Sequence, residues 1–480
     1  MVVGGGLAGL TCAARAAELG LVVRVLEQGR AERYPCNSRY AGGMFHLNYL
    51  DIGDPLPKLE AALRRMTPDD IDAEVIVAVG CTARRAVQWL QDHAGARFVR
   101  VGPAHFEKWV LAPPRPPMAG LVHPGRGPDQ VLSALSDWLA RRGMPIERGA
   151  HVTDVRHAGG GYAITWQRDG RTETLHAAAV TCADGGFQAR PDLLRTHISP
   201  APAALVERNS GTGMGTSLGF APGLGAQLSE LGNFYGHLLA RNALHREDLW
   251  PYPMVDGLAK AGILVGPDGQ RFADETQGGV FLANQVARRA DPTDAVVVFD
   301  DDTWWSVGRE TRVPPNPVMT NHGGELISRA TVAELAGAAG LDAGALTATV
   351  AAHNAFVASA GKSAVTPARS YAAAWARPIA QAPFHAVPVC AGVTYTMGGI
   401  YVTPRAEARA AAGGIVPGLF AAGAATGGVE GGALSFYIGG LCKALTLGLL
   451  AGESAAAYIS ALPAGARAPT PETVVDEPTA

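Results

Sequence analysis

The sequence carries little charge and no ordered cysteine pattern. Charged residues make up 17% of its 480, and 40 Lys and Arg against 43 Asp and Glu leave a formal charge of −3. That balance offers no electrostatic footprint for nucleic acid or for an anionic membrane surface. The six cysteines, Cys12, Cys36, Cys81, Cys182, Cys390 and Cys442, are scattered without a CxxC pair or a zinc-like spacing, so they read as reduced, small hydrophobes. The acidic triplet Asp300-Asp301-Asp302 reads as a solvated turn closing a strand, and no metal is expected. No stretch approaches the roughly 20 uninterrupted apolar residues of a spanning helix. The best C-terminal run, residues 441–451, is interrupted by Lys443. No basic and apolar leader opens the sequence, so a cytoplasmic protein with small-molecule partners is the expectation.

What the chain has is apolar material and glycine. Hydrophobic residues reach 48%, enough for large cores, and 480 residues imply two or more lobes because single cores stop growing at roughly 250–300 residues. The 60 glycines are aperiodic, as tight backbone approaches require. The opening shows why. A short apolar run leads into Gly4-Gly5-Gly6-Leu7-Ala8-Gly9, an Ala-rich helix over 11–19 follows, and a second strand over 21–26 ends in Glu27. This is a βαβ unit with an acid about 20 residues after the glycines, the order that dinucleotide binding needs. Gly4 permits the turn, Gly6 lets a pyrophosphate reach the helix N-terminus, and Gly9 lets helix and strand pack. Glu27 can accept both ribose hydroxyls of an adenosine. FAD and NAD remain open from this unit alone. Only three residues precede Gly4, fewer than a usual strand of about 5–6, so a few more strand residues ahead of Met1 are expected.

Further along, helical spacing marks 129–139, 331–339, 346–359 and 439–460, and strand patterns mark 149–155, 162–166, 177–182, 262–265, 295–299 and 418–423. The tail 463–480, rich in Pro, Ala and acid, is expected to be disordered.

These segments resemble the flavoprotein family of fumarate reductases, succinate dehydrogenases, ketosteroid 1-dehydrogenases and tricarballylate dehydrogenases. The resemblance rests on 2–10 with Glu27, Asn37-Ser38-Arg39-Tyr40-Ala41-Gly42-Gly43-Met44, Ala183-Asp184-Gly185-Gly186-Phe187, Gly269-Gln270-Arg271-Phe272-Ala273-Asp274-Glu275, Thr396-Met397-Gly398-Gly399-Ile400, and 418–423 with the last helix. It implies an α/β fold, a Rossmann-like FAD-binding domain of glutathione-reductase type over 1–236 and 372–462, with an inserted α+β capping domain over 237–371. FAD is implied because a second return of the chain closes the cofactor site. Its contacts by resemblance are Gly4, Gly6, Gly9, Glu27, Ser38, Arg39, Gly42, Gly43, Val152, Asp184, Gly423 and Ser435. The start of the last helix would aim N–H groups at the flavin carbonyl.

Departures from the family are informative. No arginine follows Glu275, where Thr276-Gln277-Gly278-Gly279 stands, although fumarate reductases carry their proton-donating arginine there. The family's substrate histidine before TMGG is replaced by Tyr395, and its arginine near the last helix is missing from 433–437. The usual acid after the strand at 419–422 is Ala424. A dicarboxylate reductase is therefore disfavoured, and segments 234–241 and 249–253 look most like the tricarballylate-dehydrogenase-like branch. The implied reaction is introduction of a C=C bond α,β to a carboxylate or ketone of a small organic acid, by proton abstraction and hydride transfer to flavin N5. An enoate or alkene reductase and a ketosteroid-like 1-dehydrogenase are the alternatives, and a catalytically silent flavin-fold binding protein is one from another class. Candidate catalytic residues are Tyr395, His237, Tyr437 and Tyr40, with Tyr395 as a phenolate base favoured by the helix dipole. Candidate substrate contacts are Arg241, Glu275, Gln277 and Ser435, with a structural pair to Asp248 slightly favoured for Arg241 over a substrate carboxylate. The electron acceptor is left open among oxygen, a quinone and a carrier protein, since no haem-attachment motif, iron–sulfur cysteines or second GxGxxG is present.

Overall fold

The computed structural model describes residues 1–116, 123–251, 253–310 and 314–463 and the pair Val474–Val475. Strand Val2–Val3 (β1), helix Leu7–Glu18 (α1) and strand Val25–Glu27 (β2) realise the opening pattern, β2 being shorter and later than the apolar run suggested. β1 is the centre of a six-stranded sheet. It pairs in parallel with β2 on one side and with Val180–Cys182 on the other. Glu147–Arg148 extends the sheet beyond β2, and Ile415–Ala421 and then Glu407–Arg409 extend it beyond 180–182. The chain thus leaves this sheet after Cys182 and returns to it at Glu407.

Between those points lies a second sheet with its own apolar core. Its spine is the fourteen-residue strand Phe384–Met397, paired with Val206–Glu207, Asn233–Ala240, Val296–Asp300 and Ile327–Arg329, while Ile263–Val265 pairs with 296–300. This sheet begins before residue 237 and ends after 371, because ladder partners are chosen by spatial pairing rather than by chain order. The span 237–371 holds only part of it. A smaller antiparallel sheet of His151–Ala158, Gly161–Arg168 and Arg171–Ala177 carries Val152. Of the tail expected to be disordered, Val474–Val475 pair with Glu173–Thr174, and 464–473 and 476–480 lie outside the described residues.

The C-terminal helix Gly440–Ala461 packs along α1 at close range. A Cβ at Gly448 would lie 2.4 Å from the Ala8 carbonyl oxygen, and one at Gly452 would lie 2.7 Å from that of Cys12. Backbone-to-backbone packing of this kind tolerates only glycine. Among the described residues this is the one helix long and apolar enough to cross a membrane, and 61% of its most apolar window is buried inside the fold.

Two acidic residues turn out to be interior. Glu275 is fully buried; its carboxylate accepts from Arg271 Nε at 2.8 Å and from the Leu264 amide at 3.0 Å, with Arg369 Nε 3.6 Å away. Its place is therefore in an ion cluster tying the 263–265 strand to 369, away from the cavity described below, and not at a substrate edge as the sequence suggested. Asp300 is likewise buried rather than solvated. It caps helix Asp301–Trp305 through the Thr303 amide at 3.0 Å and accepts from the amides of Ala380 and Gln381 at 3.1 and 3.0 Å. Glu275→Ala leaves two guanidinium groups buried without their carboxylate, so equilibrium denaturation should show a loss of about 3–5 kcal/mol.

Candidate functional site

The two sheets meet over a cavity of about 1210 Å³ into which both α1 and the C-terminal helix open. One end is built from backbone. Gly4 has φ +99°, and a Cβ there would lie 2.5 Å from the Ala183 carbonyl; a Cβ at Gly9 would lie 1.9 Å from the Gly4 carbonyl. Both are glycine for the sake of the fold. Gly9 itself lies behind the cavity wall. Gly6 differs: a Cβ there would meet only Ser38 Oγ, at 3.4 Å, and would otherwise project into the cavity. α1 starts without a side-chain cap, and Ser38 Oγ accepts from the Leu7 amide at 3.0 Å. Open space over an uncapped helix N-terminus suits an anionic pyrophosphate.

Glu27 lines the same end. Its two oxygens accept from the Gly5 and Gly29 amides at 2.8 and 2.7 Å, which orients the carboxylate and leaves lone pairs for a diol. Gly42, Gly43, Val152, Asp184, Gly423 and Ser435 also line the cavity. Asp184 accepts from the Ser217 amide at 2.9 Å, and Ser435 donates its hydroxyl to Asn233 Oδ1 at 2.8 Å. Arg39 does not. Its guanidinium is buried against Asp129 and donates to the Tyr34 carbonyl at 2.9 Å, so it anchors helix Gly127–Ala140 and makes no phosphate contact.

The other end is aromatic and ionisable. Tyr235 and Tyr395 face each other across the strand pair, at a bulge where Thr394 has no partner of its own. Tyr235 stacks on Tyr437 with centroids 4.0 Å apart, and its ring centre is 5.4 Å from that of Tyr395. Tyr395 donates its hydroxyl to Glu430 Oε2 at 2.9 Å; Glu430 also accepts from the Ile438 amide at 3.1 Å and is paired with the buried Lys443. Tyr437 Oη accepts from the Gly440 amide at 3.1 Å. His237 Nδ1 is 2.6 Å from Asp256 Oδ2, and Nε2 is 3.1 Å from Tyr235 Oη.

Electrostatics corrects the role expected of Tyr395. Burial, and then the Glu430 charge, push its phenol well above the ordinary range, so it stands as a neutral hydroxyl donor and not as a phenolate. Burial and the neighbouring Tyr235 do the same to Tyr437. Burial lowers His237, opposed by Asp256 and helped by Arg208, and burial also lowers Lys260.

Tyr40 and Gln277 reach the cavity wall; Tyr40 stacks on His123 at 4.6 Å, and Gln277 donates to Asp274 at 3.0 Å. Arg241 does not line the cavity. It donates to the Thr293 carbonyl at 3.2 Å and lies 3.7 Å from Glu325, while Asp248 pairs with Arg246 instead. Sequence reasoning passed over Tyr235, Asp256, Arg208, Lys260, Glu430 and Lys443. Tyr235 lies within the segment 234–241 singled out above, where His237 was taken instead; the others sit in stretches without a motif, and the signals available were an acid inside the glycine-rich run 427–432 and the lysine inside an apolar helix.

The FAD binding domain family matches residues 1–434. The chain belongs to that family. FAD is accordingly its cofactor, and the open Cβ direction at Gly6, the uncapped α1 and the poised Glu27 carboxylate fit it. The fumarate reductase (cytochrome) of Shewanella frigidimarina is 27% identical over 290 residues, covering 59% of this chain and 46% of that protein. The chain spans about half the length of the curated relatives of that kind. The vinyl phenol reductase of Lactiplantibacillus plantarum is 24% identical, covering 95% of this chain and 96% of its own. The fold is shared with a 3-ketosteroid Δ1-dehydrogenase from Sterolibacterium denitrificans in complex with 1,4-androstadiene-3,17-dione, at TM-score 0.71 and 18% identity over 95% of this chain and 98% of that one. These likenesses bear out the resemblance to fumarate reductase and ketosteroid dehydrogenase flavoproteins.

Gly6 and Gly9 should separate on substitution. Gly6→Val is expected to fold but to purify colourless, since its side chain enters the cavity, whereas Gly9→Val should fail to accumulate as folded protein. Circular dichroism together with the flavin absorbance band checks both.

Proposed function

We propose that the chain is an FAD-dependent oxidoreductase acting on CH–CH groups, which introduces a double bond α,β to the carbonyl of a small ketone or organic acid. Bound in the cleft, FAD supplies a two-electron acceptor beside the carbon pair. The first sheet with its glycine turn is read as a Rossmann-like cofactor domain, and the second sheet as the cap that closes substrate against it. A cytoplasmic setting and a separate electron acceptor complete the reading.

The observation that carries it is a neutral phenol, Tyr437, held at the start of the C-terminal helix. The Gly440 amide donates to Tyr437 Oη at 3.1 Å and Tyr395 donates to Glu430, so the hydroxyl proton of Tyr437, held at the helix start, is the one directed to a substrate oxygen in the cavity. When an α-proton leaves a carbonyl compound, negative charge grows on the carbonyl oxygen. Neutral donors at a helix N-terminus stabilise that charge more than they stabilise the ground state. The Glu430–Lys443 pair holds Tyr395 in position, its own charges compensating each other. Arg208 and Lys260 on the cavity wall supply positive potential for the carboxylate of an organic acid.

One observation favours the reverse direction as a second reading: a phenol that burial keeps protonated is suited to protonating an activated alkene during reduction. The name of the full-length relative, a vinyl phenol reductase, supports the same reading. Anaerobic mixing decides. Saturated ketones or oxo acids should bleach the flavin band; an enzyme that is only reoxidised by enoates after chemical reduction works as a reductase. Tyr437→Phe should keep FAD and fold, and flavin reduction by substrate should slow about 10²–10³-fold, the usual share of one such donor, as read by stopped-flow absorbance.

A further inference from the structure

The donor just described leaves the α-proton without an acceptor, and the cavity holds a second, separate chain of polar groups. It runs Asp256, His237, Tyr235. Asp256 is the first residue of helix Asp256–Ala261; its Oδ1 accepts from the Leu238 amide at 2.8 Å and its Oδ2 faces His237 Nδ1 at 2.6 Å. With a carboxylate on that side, Nδ1 carries the imidazole proton, and Nε2 of the neutral ring is left as an acceptor. The hydroxyl that faces Nε2, at 3.1 Å, is Tyr235 Oη. It therefore donates. The Tyr235 ring is held by its stack on Tyr437 and by its place opposite Tyr395, so the phenol oxygen lies in the same end of the cavity as the carbonyl-oxygen donor.

We propose that Tyr235 is the catalytic base of this site, taking the proton α to the carbonyl, and that His237 and Asp256 are positioning residues that drain its own proton away. This rests on the reaction class proposed above. Burial raises the Tyr235 phenol as it raises Tyr395, so the step runs through the His237 acceptor at 3.1 Å and not through a free phenolate. The α C–H bond breaks and its electron pair stays on the substrate as an enolate. An O–H bond forms on Tyr235 as the original hydroxyl proton moves to His237 Nε2, and the imidazolium is paired with Asp256. The arrangement is that of a nucleophile, histidine and aspartate triad with a phenol in the first position and a carbon acid as the proton source. It assigns a separate task to each phenol: Tyr437 stays protonated and faces oxygen, Tyr395 stays bonded to Glu430 as part of the wall, and Tyr235 faces carbon.

Deprotonation requires His237 to be neutral, so activity should fall as pH drops through its titration. Burial places that titration below the ordinary histidine value. The charged and titratable groups facing the chain are Asp256 and Lys260 on one helix, Arg208, Glu430, Tyr395 on the long strand, Tyr437, and Tyr49 with His46.

The test uses the FAD-loaded protein held anaerobically in deuterated buffer, with cyclohexanone and 4-oxopentanoate as probes, and reads loss of α-proton signals by NMR. Wild type should exchange α-protons with an acid limb in its pH profile. Tyr235→Phe, which keeps the stacked ring, should exchange about 10²–10⁴-fold more slowly with its flavin spectrum unchanged. Asp256→Asn should slow exchange similarly and move the imidazole proton to Nε2, seen in ¹⁵N-histidine spectra, where the wild-type Nε2 is expected to be unprotonated. Exchange in Tyr235→Phe as fast as wild type, a wild-type ring protonated at Nε2, or a wild type that leaves the α-protons in place overturns the assignment. A wild type that exchanges but whose flavin no ketone or oxo acid reduces keeps the proton chain and overturns the dehydrogenase reading instead.

Discussion

The close contact between α1 and the C-terminal helix governs the rest of the structure. Gly448 meets Ala8 and Gly452 meets Cys12, so the two helices run in the same direction with their backbones touching. Both N-termini then open toward one cavity. The C-terminal helix begins at Gly440, eight residues before its contact with Ala8, so its tip stands about 12 Å beyond that contact at 1.5 Å per residue. One helix end faces the phosphate cradle and the other faces the Tyr437 phenol, and the separation between them is set by helix packing rather than by any loop.

Around that axis the cavity divides its labour by protonation. The backbone end offers N–H groups and one oriented carboxylate, Glu27. The aromatic end places a compensated ion pair, Glu430 with Lys443, under Tyr395, and a histidine–aspartate pair under Tyr235. Low dielectric strengthens each of these interactions and also raises the cost of leaving any partner unmatched. The clustering of buried, mutually bonded polar groups lies on the side away from Gly6.

The β1–α1–β2 unit was legible because everything that defines it is local: a glycine turn, an apolar helix and an acid within 27 residues. The strand 384–397 was not. Nearly all of it is buried on both faces, so it shows no alternation, and its ladder partners come from four distant segments. Helix Ala73–Ala94, capped by Asp72, was passed over as well, although its cap and apolar stripe are plain once looked for. In the site, adjacency along the chain misled: Arg39 lies beside Ser38 in sequence yet points into the Asp129 helix, and Glu275 lies near Gln277 yet turns inward to Arg271. Arg208, Glu430 and Lys443 carry no motif, and only the folded backbone brings Arg208 and Lys443 to one cavity and Glu430 behind its Tyr395 wall.

The unpaired residue Thr394 has a consequence for how such a site could change. Its carbonyl, released from the ladder, accepts from Asn37, and its hydroxyl accepts from Arg208. On its far side the Tyr395 ring lines the cavity and the Thr396 hydroxyl is buried against the Phe187 amide. Loss of that one residue would leave the pairs of Val393 with Gly236 and of Tyr395 with Tyr235 in place, so the phenol would keep its face while the anchors to Asn37 and Arg208 were lost. The bulge thus works as a tether between the long strand, the loop at Asn37 and Arg208, and a descendant could loosen the pocket wall by indel without altering one aromatic side chain.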